Sequence, residues 1–373
     1  MNKVASDYVN VLRGIAILGV VSVHSLFSTN EITQSSDYNL FSYSMSLGKY
    51  GVELFFMISG FLMYSLYGSA SPINLRRYFR KRILRIYPLW LFFLFLNLTI
   101  FYQNSYGGVF AVINAEGSGN HFLASKLGIL ITGLTFTFFL SASLWNTVIP
   151  GGWSIQVEVL HYFLFAILRK VSLTKVLAVV ASINGLTALI QVIVAAGKGS
   201  NSHILATLDT WSRLGLYSSF SFFLFGVLGG YFSTLTSTEV RSLLNPWDPN
   251  RFLLSFAFFA LSLTLIPTPF GKTMEAIGVL FVFLVSGWFV ISKAKLCSVF
   301  QSLGQYSYFI YFSHFLILDF MVLLYKKTPL DFTFPFAQKV IYLPLLVITL
   351  GISWILGKGS MRYFEKPLMR LGN

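Results

Sequence analysis

Cysteine is almost missing from this chain: Cys297 is the single one in 373 residues. That excludes an internal disulfide and a metal site built from cysteines. Charge is scarce too, at 11% of residues, and acidic charge scarcest, with 13 Asp and Glu against 27 Lys and Arg. No internal repeat and no low-complexity tract interrupts the sequence. No close His-x-x-x-His pair opens a zinc site, so no metal is expected. The first apolar run is not followed by a small-residue cleavage site and is expected to stay as a retained signal anchor. Neither end carries a stretch of soluble-domain composition, so residues 1–373 read as a single membrane domain.

What is present instead is apolar. Hydrophobic residues make up 55% and aromatic ones 17%, and the mean hydropathy is +0.71. Soluble domains do not have this composition. Apolar runs near 20 residues recur, the length a helix needs to cross a bilayer. The fold class is therefore all-α and polytopic. About ten transmembrane helices are expected, at 8–27, 49–67, 84–102, 153–169, 174–196, 213–232, 252–267, 274–292, 303–324 and 339–357. One further run, Lys126–Leu144, is rich in Thr, Gly and Phe and is followed by the turn-forming Pro150-Gly151-Gly152.

Basic residues decide how to read that run. With ten spans and both termini cytoplasmic, the inner side takes Lys3, the block Arg76, Arg77, Arg80, Lys81, Arg82 and Arg85, and the basic C-terminal tail. Inner basic residues then outnumber outer ones more than twofold; counting Lys126–Leu144 as an eleventh span levels the two sides. The run is therefore expected to be re-entrant or interfacial, a backbone arrangement allowed where protein covers it or it lines a cavity. Residues 103–152 become a long external insertion carrying Gly107-Gly108, Glu116 and His121. A net charge of +14 would suggest nucleic acid for a soluble protein. Here it sits at span ends, where it orients the chain and meets anionic lipid or an anionic ligand; no nucleic acid is expected.

The polar residues inside the spans are the candidates for chemistry, since ionisable groups there are costly and normally face a cavity or a partner. Arg13 and His24 stand eleven residues apart in the first span, on one helical face and about 16 Å apart along the axis. Each has a plainer reading, Arg13 snorkelling to headgroups and His24 bonded to a carbonyl or hydroxyl. Glu53, near the outer end of the second span, is either an interfacial carboxylate or a partner at the depth of His24. Arg82 and Arg85 lie one turn apart in the inner basic loop, with Arg80 beside them. The loop serves topology alone, or its guanidinium forks hold a phosphate-bearing ligand. Trp153 opens the fourth span, and Glu158 lies about 8 Å below its start, three residues before His161 and so on the same face. A carboxylate beside an imidazole orients it and raises its basicity. Tyr308, Tyr311 and His314 recur every three residues in the ninth span, as a packing stripe or a substrate-facing one.

In their order along the chain these motifs resemble the bacterial acyltransferase-3 family of integral membrane acyltransferases. The resemblance rests on Arg13 with His24, Gly51 to Leu62, Arg82-x-x-Arg85 with Tyr87-Pro88, Trp153-Ser154 through Glu158, Tyr308 to His314, and Phe364-Glu365-Lys366-Pro367. It departs mildly at Ile155, where the family usually has Leu. The resemblance implies transfer of an acyl group, usually acetyl, from cytoplasmic acyl-CoA to an extracytoplasmic hydroxyl. It maps the family's Arg–His pair onto Arg13 and His24, its coenzyme A arginines onto Arg82 and Arg85, and its acidic residue onto Glu158. It also implies the standalone form, without the C-terminal hydrolase-like domain of some members, in the bacterial cytoplasmic (inner) membrane.

From these residues and that resemblance the expected chemistry follows. His24, oriented by Glu158 or Glu53, acts as base on an acceptor hydroxyl of a cell-surface glycan. Arg82, Arg85 and Arg80 hold the phosphates of acetyl-CoA, and its arm passes Arg13. Trp153, Tyr308, Tyr311 and His314 contact substrate. The rival class is a transporter or flippase, which also needs inner basic residues and a polar seam but often shows repeats.

Overall fold

The computed structural model describes residues 3–34, 40–68, 73–97, 126–137, 149–169, 173–197, 204–205, 208, 216–234, 295–328 and 336–372. Among the described residues every regular element is helical. Among the described residues four helices are long and apolar enough to cross a membrane: Ser6–Thr33, Tyr50–Tyr67, Ser307–Lys326 and Ala337–Arg370. Gly152–Leu168 and Ser219–Gly230 are shorter apolar helices. The expected spans at 252–267 and 274–292, residues 98–102, the C-terminal half of the run at 126–144, and Gly107, Gly108, Glu116 and His121 lie outside the described residues. The chain divides into two compact units, Met1–Phe55 with Ser286–Leu371, and Phe56–Val285 with Gly372–Asn373.

The first unit is built on α1 (Lys3–Thr33), a 31-residue helix. A short helix α2 (Leu40–Ser46) and a 3-10 turn lead from it to α3 (Tyr50–Tyr67). The unit closes with α9 (Lys295–Gln305), α10 (Ser307–Lys326) and α11 (Ala337–Ser360), after which a π turn and α12 (Lys366–Arg370) end the chain. The sequence predicts one span over 303–324; the structure breaks it at Tyr306, whose φ of −106° and ψ of 10° leave the helical region. The break frees α9 to lie along α1. Gly14 brings α1 against the main chain of Phe300, and Gly304 brings α9 against that of Asn10, so a Cβ at either would strike backbone. Small residues allow membrane helices this approach. Toward the other end of α1, Ile32, Leu318, Val322 and Leu345 bury one another, and Lys326 pairs with Glu31 at 2.7 Å. Ser22 and Tyr342 share a hydrogen bond of 2.5 Å. These contacts fix the register of α1 against α10 and α11.

The second unit holds α4 (Leu75–Leu96), α5 (Lys126–Thr135), α6 (Gly152–Leu168), α7 (Leu173–Ala196) and α8 (Leu216–Thr234), together with Phe56–Tyr67 of α3. Asn74 caps α4, its side-chain oxygen accepting from the Arg77 amide at 3.0 Å. Close packing of α3 on α8 runs through Gly60 against Phe223 and Gly226 against Met57.

Helix α5 has ten residues, about 15 Å and too short to cross a bilayer alone. It ends at the side of α4. Trp90, fully buried, donates its indole N–H to the Gly133 carbonyl at 2.8 Å, and the Tyr87 hydroxyl donates to the Leu134 carbonyl at 2.8 Å. Two of the carbonyls that a helix end leaves open are thus satisfied by aromatic donors. The next residue, Phe136, turns left-handed at φ 55° and lays its ring 4.9 Å from Trp90. Helix α6 starts at the same indole: Gly151 is left-handed at φ 73°, and a Cβ on Gly152 would lie 3.2 Å from Trp90.

Candidate functional site

Each unit carries one cluster of the predicted residues. In the first unit α1 presents Arg13 and His24, both half-buried. Arg13 precedes Gly14, where α1 and α9 meet. His24 lies about 10 Å below Glu31 along the helix. Its neighbour is His314 of α10, with ring centroids 5.3 Å apart and planes tilted by 44°. Phe315 packs on both imidazoles, 4.3 Å from His24 and 4.1 Å from His314. His314 is fully buried, and its Nδ1 lies 3.0 Å from the Ile310 carbonyl one turn earlier. Tyr311, also buried, sits 5.9 Å from His314 and 6.4 Å from Phe55. Tyr308 is half-buried and packs on Phe312. On α10 Tyr308, Tyr311 and His314 follow one another along the helix, and the last of them, His314, meets His24. Glu53 occupies the first turn of α3, half-buried.

The second unit holds the arginines. Arg82 is 8% exposed, and its guanidinium is boxed by the rings of Tyr162, Tyr67 and Tyr78 at 5.4, 5.5 and 5.7 Å. The Tyr78 hydroxyl donates to the Tyr162 carbonyl at 3.1 Å, and the Tyr162 hydroxyl donates to Glu158. Arg85, half-buried one turn on, is within electrostatic reach of Tyr162, as are Arg82 and Glu158. Arg80 is exposed. Burial pushes the Tyr78 phenol well above its ordinary range, and the nearby Arg82 charge opposes that only in part. The phenol therefore remains a donor at physiological pH.

One expectation changes within this unit. Glu158 does not engage His161, three residues on; it accepts from Tyr162, four residues on. His161 is instead enclosed by rings, stacked 4.5 Å from Phe223 and edge-on to Phe56 at 4.9 Å, with both ring nitrogens lacking a hydrogen-bond partner among the described residues. Because the Pro150-Gly151 turn starts α6 at Trp90 and Tyr162 meets Tyr78, Glu158 falls at the level of Arg82 and Arg85. Trp153 is half-buried, 6.4 Å from Phe56.

Sequence reasoning missed the tyrosine box. Its only linear signals are spacings of four, Tyr78 before Arg82 and Tyr162 after Glu158; Tyr67 gives none. The His24–His314 pair joins residues 290 positions apart and has no linear signal.

Chemically, the box can hold an anion. A buried guanidinium carries a desolvation penalty of several kcal/mol. Three ring contacts worth about 0.5–2 kcal/mol each offset part of it, and the Arg82 Nε is buried with no hydrogen-bond partner among the described residues. A phosphate oxygen accepts from such an N–H and opposes its charge. Among the described residues no three His, Cys, Asp or Glu side chains gather as metal ligands.

A family model described as an acyltransferase domain, that of the acyltransferase-3 family, matches residues 6–358. No curated protein and no solved structure matches the chain.

Proposed function

The chain belongs to the acyltransferase-3 family and is an acyl-transferring membrane enzyme; on that footing we propose that it acetylates a hydroxyl of an extracytoplasmic cell-surface glycan, with cytoplasmic acetyl-CoA as donor. The observation that carries this reading is the buried, tyrosine-boxed Arg82 with Arg85 one turn on. Both lie two to three turns into a helix whose first two turns carry a run of cations and whose first turn has no acidic residue. Guanidinium forks there favour a phosphate-bearing ligand. Arg80, exposed beside them, adds charge for the outermost phosphate of the donor. The site is cytoplasmic by the charge distribution of the chain.

In the first unit, His24 takes the proton of the acceptor hydroxyl as its oxygen attacks the thioester carbonyl. The carbon–sulfur bond breaks, and the coenzyme A thiolate leaves with a proton returned from His24. General-base assistance of this kind is worth about 10²–10⁴-fold. Arg13, about 16 Å before His24 along the same face of α1, stands on the course of the donor's arm toward His24. Tyr311 and Tyr308 precede His314 on α10 and contact substrate as it approaches His24. Glu158, bonded to Tyr162, sets that ring over Arg82 and shapes the donor end.

Purified protein in detergent, given acetyl-CoA and surface oligosaccharides from the producing cell, should release free coenzyme A in proportion to ester formed. A transporter of an anionic or glycan substrate would leave acetyl-CoA intact, and that result would reject the reading.

A further inference from the structure

His314 is more deeply buried than His24 and has a settled protonation pattern. Its Nδ1 faces the Ile310 carbonyl at 3.0 Å. A carbonyl only accepts, so Nδ1 carries the hydrogen, and in the neutral ring Nε2 is a bare lone pair. That Nε2 is buried and has no hydrogen-bond partner among the described residues. A buried acceptor left open costs stability, so a donor that comes within its reach is held there. The adjacent imidazole is His24, 5.3 Å away centroid to centroid. Phe315 covers both rings and keeps that side apolar.

We propose that His314 is a positioning residue for His24: its Nε2 accepts the N–H of His24 when His24 takes up the substrate proton. The inference rests on the reading of His24 as the base. At rest, neutral His24 has one N–H. On abstraction the hydroxyl proton moves to the free ring nitrogen and the ring becomes an imidazolium with two. The hydrogen already on the other ring nitrogen then becomes a charged donor that needs an acceptor in an apolar surrounding, and His314 Nε2 supplies it without a competing carboxylate charge. When the thiolate departs, the proton returns to sulfur and both rings are neutral again. No atom of His314 touches the reacting groups; it holds the charge and the ring orientation through His24. A contact that tightens as charge develops strengthens the transition state over the ground state, so it acts on kcat.

The arrangement is held by contacts on both sides. The Glu31–Lys326 pair and the core formed by Ile32, Leu318 and Val322 clamp α1 to α10 above the two imidazoles.

Three substitutions separate this role from packing. His314→Phe keeps a ring and removes both nitrogens. His314→Asn can still donate to the Ile310 carbonyl but is too short to place an acceptor at the Nε2 position. His314→Gln places a carbonyl oxygen near that position. In proteoliposomes of the full chain, with acetyl-labelled acetyl-CoA and surface oligosaccharides of the producing cell, Phe and Asn should lower kcat about tenfold or more. Both should leave KM for acetyl-CoA unchanged, and Gln should recover much of the loss. In a His24→Ala background, His314→Asn should cost nothing further, because its effect passes through His24. Wild-type kcat in the Asn variant would overturn the role, as would equal loss in Gln and Asn, or a further loss in the His24→Ala background. If His24→Ala itself turns over normally, the base reading fails; an inactive His24→Ala beside a fully active His314→Asn removes only the positioning role.

Discussion

The hydroxyl of Tyr78 on α4 donates to the main-chain carbonyl of Tyr162 on α6 at 3.1 Å. That one bond fixes the height of α6 on α4 and brings both rings over Arg82. Glu158 is carried to the same level one turn earlier, bonded to the Tyr162 hydroxyl. A carboxylate, three phenols and two guanidinium groups thus belong to one structural assembly.

Removing the Tyr78 hydroxyl tests that assembly. Tyr78→Phe leaves the ring over Arg82 and opens the bond, so stability should fall by about 1 kcal/mol, read as a lowered unfolding temperature in detergent. The pH dependence has a defined sign. The folded-state phenol is held above its ordinary value of 10.0, first by burial and against the opposing Arg82 charge. The bond's contribution is complete below pH 10 and is lost only as pH rises beyond it. The difference between wild type and Tyr78→Phe should therefore be constant from pH 6 to pH 9; a difference that vanishes within that window would contradict the buried phenol.

Arg82 should answer for the donor and not for the chemistry. Arg82→Lys keeps the charge and loses the planar fork and its stacking, and is expected to raise KM for acetyl-CoA about tenfold with kcat little changed. Arg82→Met fills the box without charge and should raise it further while the fold holds, since three rings pack around the thioether. Initial-rate kinetics against acetyl-CoA concentration distinguish these effects. An unchanged KM in both variants would detach Arg82 from the donor.

The seam between α1 and α9 allows no side chain at Gly14. Gly14→Ala places a Cβ against the Phe300 carbonyl and should cost about 1–3 kcal/mol, seen as a lower unfolding temperature. Gly351→Ala, where an added Cβ meets nothing within 4 Å, should leave it unchanged or slightly raised. Equal behaviour of the two variants would speak against the close approach.

Much of this architecture is legible in the sequence because its signals are local. The apolar run at 8–27 lies within α1, and the runs at 49–67, 174–196 and 339–357 fall within a few residues of α3, α7 and α11. What was not legible is set by contacts between distant residues. The run at 303–324 looks continuous, yet it breaks at Tyr306, beside Gly304, where α9 packs on Asn10 of α1. Glu158 and His161 share a face by spacing, but Tyr162 competes for the carboxylate and the phenylalanines claim the imidazole. His24 and His314 were each legible as candidates; their adjacency was not, since it comes from helix register in three dimensions.

Trp90 should govern the end of α5. Trp90→Phe removes the donor to the Gly133 carbonyl while leaving an aromatic ring near Phe136. Amide hydrogen exchange over 126–135 should accelerate in the variant, with exchange in α11 unaffected. Unchanged exchange in α5 would show that the indole bond does not hold it.

The central claim is that His24 is the base of an acyl transfer. The most direct measurement is the rate of labelled-acetyl ester formation by His24→Ala in vesicles, at saturating acetyl-CoA and with surface oligosaccharide as acceptor. The expected result is a fall in kcat of about 10²–10⁴-fold with KM for acetyl-CoA retained. Turnover at the wild-type rate would contradict it.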